Sequence, residues 1–177
     1  FENRIKNKVL LSGAIAHNNI TKKLKWKLKK PRHGDSIFEY KLRTSCSYLS
    51  YVDYTSTLNH DYVGDKYPLL LQKYQTAIAA TSQSPTNKYW EIPAAGCMTF
   101  MEITKQNRGE YLGFVDDQTA VFINEKNYKE KFEEYLSDIE NPKWAKIALE
   151  GRKYALNELN NDKAVDSLVD LMITLIR

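Results

Sequence analysis

The stretch Lys88-Tyr89-Trp90-Glu91-Ile92-Pro93-Ala94-Ala95-Gly96-Cys97 decides how this chain of 177 residues is read. It lies between two short apolar runs, Thr76–Thr81 and Cys97–Ile103, each with the length and residue types of a buried strand. Between them there is room for one short helix. Pro93 fits the first turn of that helix, where its missing N–H is not needed. Ala94 and Ala95 permit close packing, and Gly96 supplies a left-handed stop. Glu91 is therefore expected at the helix start, just beyond the carboxyl end of the preceding strand. In open α/β sheets that edge is where ligands bind. The loop feeding it, Thr81-Ser82-Gln83-Ser84-Pro85-Thr86-Asn87, is almost wholly hydroxyl and amide.

Upstream, Lys8–Gly13 reads as a first buried strand ending in a Ser-Gly turn. Ser36-Ile37-Phe38-Glu39 has the capping-box pattern and predicts a helix from Ser36 to about Tyr48, with Phe38, Leu42, Cys46 and Leu49 facing the core. Tyr51–Thr55 is a second strand. Asp65 is expected to cap a helix carrying Tyr67, Leu70, Leu71 and Tyr74 at i, i+3, i+4 and i+7. Downstream, Asp116-Asp117 reads as a turn before a fifth strand, Thr119–Asn124. Three helices end the chain. Tyr128, Phe132, Tyr135 and Leu136 mark the first. Asn141-Pro142, an N-cap followed by proline at the first helical position, opens the second, with Trp144, Ile147, Ala148 and Gly151 inward. Ala164, Leu168, Leu171, Met172 and Leu175 share one side of the third. Strands alternating with helices predict an α/β fold: a doubly wound, parallel, Rossmann-like sheet followed by C-terminal helices.

The length allows one domain, residues 1–177, to bury a core without staples. Two cysteines, Cys46 and Cys97, stand far apart and in no metal spacing, which points to a reduced compartment. No apolar run approaches the roughly 18 residues of a membrane span, and no signal peptide is evident. A cytoplasmic protein is the expectation. The chain opens at Phe1 rather than a methionine and reads as a piece of something longer. Its net charge of +4 is a local property. Lys22, Lys23, Lys25, Lys27, Lys29, Lys30 and Arg32 fall within eleven positions that hold no acid, and setting those seven aside leaves −3. Leu24, Trp26 and Leu28 alternate with the lysines, as in an extended piece with one apolar face or a short helix. There is no G-x-G-x-x-G and no Walker loop, and His17, His33 and His60 have no ligand spacing. No cofactor and no metal is therefore expected.

The central stretch also carries a resemblance. Tyr89-Trp90-Glu91-Ile92-Pro93-Ala94-Ala95-Gly96 is similar to the E-A-x-A-x-G segment in the nucleotide-sugar domain of GT-B glycosyltransferases of the group 1 type. Gly109-Glu110-Tyr111-Leu112-Gly113-Phe114-Val115-Asp116 and Thr119-Ala120-Val121-Phe122-Ile123-Asn124 resemble the loop and strand that follow it. Tyr128–Leu136 and Trp144–Leu156 resemble the family's paired C-terminal helices. The likeness runs from about Tyr67 to Leu171. One position departs: the family often has two glutamates separated by seven residues, and here Gln83 stands where the first would be.

The resemblance implies one half of a two-domain GT-B enzyme. That half holds a nucleotide diphosphate sugar, while the acceptor, a sugar or glycan, and usually the base belong to the other half. It implies no bound metal, with cations and helix-end amides stabilising the leaving diphosphate. Glu91 would accept the ribose hydroxyls; otherwise it is an acid complementing a helix dipole. Lys88, Ser82, Gln83, Ser84 and Thr86 would meet phosphate or sugar, with backbone N–H groups at the helix start; otherwise they form a solvated turn. Gly13 ends the first strand at the same edge, and Arg43 corresponds to a cation the family often turns toward the diphosphate. Catalytic residues are not identifiable. Two other readings stand. One is a nucleic-acid-binding α/β domain that uses the basic run and Trp26, the other a non-catalytic domain of the same fold. The run Lys22–Arg32 also suits an anionic membrane surface at the inner face, at about 1 kcal/mol per basic residue.

Overall fold

Val9, Leu10 and Leu11 form the middle of β1 (Ile5–Ser12) and are all buried, as an apolar run covered on both faces must be. The computed structural model describes residues 3–16, 36–56 and 61–176. Around β1 lie β2 (Val52–Thr55), β3 (Tyr74–Ala79), β4 (Met98–Glu102) and β5 (Val121–Ile123). They make one sheet in the order β2-β1-β3-β4-β5, with every neighbouring pair parallel. Val9 is in register with Val52 on one side and Thr76 on the other; Thr76 pairs with Met98, and Phe100 with Val121. This is the doubly wound parallel sheet the sequence predicts.

Alternation along the strands divides two cores. Val9, Leu11, Ile78, Met98 and Phe100 join Leu42, Cys46, Phe132, Tyr135, Trp144 and Ile147 on one face. Leu10, Ala77, Ala79 and Met101 join Leu70, Leu71, Tyr89, Ile92, Phe114 and Ala155 on the other. On the first face Phe132 meets Phe100 edge to face at 4.7 Å between ring centroids. The helices are α1 (Ser36–Glu39), α2 (Lys41–Cys46), α3 (Tyr67–Leu71), α4 (Lys88–Ala94), α5 (Tyr128–Ser137), α6 (Pro142–Glu158) and α7 (Asn161–Ile176). Asn141 caps α6 as expected, its side chain accepting from Lys143 N at 3.0 Å.

Four local expectations are corrected. The helix foreseen from Ser36 to Tyr48 breaks at Tyr40 (φ −112°, ψ 25°) and ends at Cys46. The Glu39 carbonyl at the break accepts Ser82 N–H at 3.0 Å, a bond to another element instead of the next turn. Asp65 does not cap α3. It sits inside a 3₁₀ turn, Gly64–Lys66, and Pro68 sets the start of α3 after it. Tyr74 belongs to β3 rather than to that helix, and its hydroxyl donates to Asp53 Oδ2 at 3.0 Å. Pro93 lies in the last turn of α4, not the first. The helix opens earlier because Asn87 O accepts from Trp90 N and Glu91 N. Gly96 is left-handed (φ 80°), as foreseen. The basic run Lys22–Arg32 and all three histidines lie outside the described residues. Among the described residues no helix is long and apolar enough to cross a membrane.

Candidate functional site

In the order β2-β1-β3-β4-β5 the chain leaves β1 toward one edge and leaves β3 toward the other. The crevice outside the carboxyl ends of those two strands is the topological switch point, where open α/β sheets bind ligands. A cavity of about 200 Å³ lies there, lined by Ser12, Gly13, Tyr62, Val63, Gly64, Tyr67, Lys88 and Glu91. Ser12 is the last residue of β1, and Gly13 follows in a left-handed conformation (φ 106°). Lys88 opens α4, and Glu91 stands in its first turn. Tyr67 opens α3.

These side chains form a compact polar cluster. The Lys88 ammonium donates to Ser12 Oγ at 3.2 Å and to Tyr67 Oη at 3.1 Å. Ser12 Oγ and Tyr67 Oη are 2.7 Å apart, so the two hydroxyls share a further bond. Burial holds the Lys88 ammonium down to about 8, with Arg43 lowering it further and Glu91 opposing. Burial also pushes the Tyr67 phenol up to about 12, while its bond to Ser12 and the Arg43 charge oppose that shift. From the other face of the sheet Arg43, buried in α2, donates to the Ser12 carbonyl at 2.6 Å. Desolvation lowers the Arg43 pKa, and its guanidinium lies 5.1 Å from the Tyr40 ring centroid. Neither Lys88 nor Arg43 has an ion-pair partner among the described residues. A half-buried and a buried cation thus converge on one residue, neither in an ion pair among the described residues.

Of the predicted residues, the structure brings Gly13, Lys88 and Glu91 into one cavity, with Arg43 behind its floor. Ser82, Gln83, Ser84 and Thr86 are not among its walls. They follow β3 at the same edge, tied back to α1 through Ser82 N, while Ser84 O accepts from Thr81 Oγ1 at 2.5 Å. Three of the backbone amides at the helix start are bonded within the chain. Tyr89 N bonds Thr86 O, and Trp90 N and Glu91 N both bond Asn87 O, because the entry is tightened into turns. Side-chain cations add positive charge at the same edge.

Sequence reading missed three members. Ser12 reads only as a turn residue, and helical spacing makes Tyr67 an apolar core residue, hiding the use of its hydroxyl. The third is Asn107, which gave no periodic signal. Its buried amide donates to Thr81 O and Glu102 O at 2.9 and 2.6 Å and accepts from Thr104 N and Gly109 N, both at 3.0 Å. Tyr89 Oη joins it, accepting from Thr81 N at 3.1 Å and donating to Glu102 O at 3.0 Å. This knot fixes the loop after β3 to the end of β4.

No protein-family model matches the chain, and no curated protein matches it in sequence. Solved structures do match. The C-terminal domain of a group 1 glycosyl transferase, LpcC, from Francisella tularensis aligns over 89% of this chain and 89% of its own, with 16% identity and a TM-score of 0.53. Alr3699/HepE from Anabaena, solved in complex with UDP-glucose, aligns over 93% of this chain and 49% of its own, at 12% identity and TM-score 0.55. A glycosyltransferase from Rickettsia africae aligns over 97% and 48%, at 10% identity and TM-score 0.60. The fold is therefore the Rossmann-like half of these GT-B glycosyltransferases. The chain spans about half the length of the HepE and Rickettsia proteins.

Proposed function

We propose that this chain is the donor-binding domain of a glycosyltransferase that moves a sugar from a nucleotide diphosphate sugar to an acceptor held elsewhere. The observation that carries the reading is the convergence of Lys88 and Arg43 on Ser12 at the switch point, with no ion-pair partner among the described residues. A diphosphate supplies the missing negative charge. Lys88 contacts it directly, giving charge-assisted bonds from a compact donor. Arg43 acts through the pocket floor. Glu91, on the same wall, accepts ribose hydroxyls, for which an anionic acceptor pair is suited. Ser82, Gln83, Ser84 and Thr86 serve the transferred sugar, whose hydroxyls suit amide and hydroxyl partners. HepE, of the same fold, is solved with UDP-glucose, which makes UDP-sugars the first donors to try.

A thermal-shift and calorimetry panel of nucleotide sugars and nucleoside diphosphates tests this. A donor at a hundredfold its dissociation constant should stabilise the protein by about 2.7 kcal/mol. Lys88→Met and Glu91→Gln should each weaken binding by about 1.5–3 kcal/mol, the range for hydrogen bonds to charged groups, and leave the fold intact. A panel with no stabilising member, or unchanged affinity in both variants, sinks the assignment.

A further inference from the structure

Behind the pocket a second charged side chain is buried, and the donor reading does not use it. Glu102 ends β4 and is 3% exposed. Its Oε2 has no hydrogen-bond partner among the described residues. Strand alternation places its side chain with those of Met98 and Phe100, on the face covered by α2. On α2, over the same face, stands Arg43, itself 4% exposed and lacking an ion-pair partner among the described residues. A buried acid and a buried cation thus share one face of the sheet without an ion pair between them, and the Arg43 charge acts on the Glu102 carboxyl through the interior. A buried carboxyl without its full hydrogen bonds is costly when ionised, so such a group is kept for a reason or shed.

We propose that Glu102 is a positioning residue for the anion site: its buried carboxyl is the internal counter-charge of Arg43, and its protonation sets how much positive charge Arg43 presents through Ser12 to the ligand. This rests on the donor reading for its ligand, and for its mechanism on the unpartnered Glu102 Oε2, the burial of both groups under one face and the Arg43 bond to Ser12 O. When Glu102 carries a proton, Arg43 is uncompensated and the pocket attracts an anion most strongly. When Glu102 is ionised, part of that charge is spent internally.

The surroundings place the transition near neutrality. Burial raises the Glu102 carboxyl to about 7, with Glu125 after β5 pushing the same way. Arg43 opposes this, as do the Thr81 backbone and Lys41 on α2. Lys41 is itself paired with Glu125 at 2.5 Å, so Glu125 acts with its charge partly offset. Cys46 of α2 and Tyr89 of α4 also face the carboxylate, and both stay protonated, since burial drives their pKa values up. Lys88, in the cavity wall, is held down to about 8 by burial. Anion affinity therefore falls in two steps as pH rises, the lower from Glu102 and the upper from Lys88.

The test uses inorganic pyrophosphate, which carries the diphosphate without a base, and UDP beside it. Calorimetric affinity is measured from pH 5.5 to 9 for the wild type and Glu102→Gln. Relative to Glu102→Gln, in which the ligand's own phosphate ionisation acts equally, the wild type should weaken roughly three- to tenfold through the lower step, the size of one charge acting across a partly screened interior. Glu102→Gln should lose that step and keep the upper one. In parallel, carbon-13 NMR of side-chain carboxyls in ligand-free wild type should show one glutamate titrating near neutrality, moved to higher pH in Arg43→Gln. A lower step that survives in Glu102→Gln overturns the proposal, as does a Glu102 carboxyl whose midpoint ignores Arg43. Absence of pyrophosphate and UDP binding at every pH, with the NMR shift intact, overturns the diphosphate site and not the pairing.

Discussion

Lys88 shows most directly how burial becomes function. Its ammonium is held down to about 8 because it sits among hydroxyls, a ring and a second cation rather than in water. A lowered lysine pKa means that the fold favours the neutral form. Stability is then fullest above the ordinary lysine range and falls as pH drops through about 8, where the charge must be accommodated. A bound diphosphate reverses this by favouring the charged form. Binding just above pH 8 should therefore take up a proton, seen as a calorimetric enthalpy that varies with the ionisation enthalpy of the buffer. Lys88→Met should abolish that variation. Buffer-independent enthalpy in the wild type would place the anion away from Lys88. That Lys88 and Glu91 stand together at the carboxyl edge was legible because both lie in the short helix-opening stretch that follows β3. Ser12 and Tyr67 were not, because their role depends on a bond between residues 55 apart in sequence.

At the scale of elements, α6 holds the second half of the sheet together through a close approach. An added Cβ at Gly151 would lie 2.2 Å from Thr119 O, a backbone atom that cannot swing aside. It would also touch Pro93 Cβ of α4 at 3.7 Å. In an exposed helix Gly→Ala stabilises by about 1 kcal/mol. Here Gly151→Ala should instead destabilise by roughly 1–3 kcal/mol, the ordinary range for overpacking, read as a lower urea midpoint with an unchanged slope. A gain in stability would show that α6 can move off the loop. The inward face of α6 was legible from spacing, but the misplaced start of α4 was not. Pro93 survives in the last turn of α4 partly because Arg4 caps that end, donating to Gly96 O and Ala95 O at 2.7 and 2.8 Å. That contact spans more than ninety residues, and nothing local announces it.

Over the whole molecule, burial stops abruptly at α7. All of residues 161–175 are exposed, and Val165, Leu168, Val169, Leu171, Met172, Ile173 and Leu175 are 46% to 76% exposed. The amphipathic side foreseen from Ala164, Leu168, Leu171, Met172 and Leu175 is present, but it packs on nothing within the described residues. A lone helix of sixteen residues is marginal in water. Ending the chain at Asn160 should therefore leave the melting temperature of the sheet domain nearly unchanged while reducing hydrophobic-dye binding and self-association. A fall of many degrees in that temperature would mean that α7 packs on the body after all.

The sequence by itself determined the parallel sheet, the strand–helix–strand unit around Glu91 and the placing of Glu91 at the carboxyl edge of the sheet. The reason is that strands buried on both faces must be written as continuous apolar runs, and a parallel sheet presents all their carboxyl ends on one side. Only the tertiary structure decided which side chains meet there. The bonds of Ser12 to Arg43, Tyr67 and Lys88 span 31, 55 and 76 residues and exist because β1 and β3 are neighbours about 5 Å apart. Local periodicity cannot encode strand adjacency, so the cavity's composition, and the burial of the Glu102 carboxyl, came from packing alone.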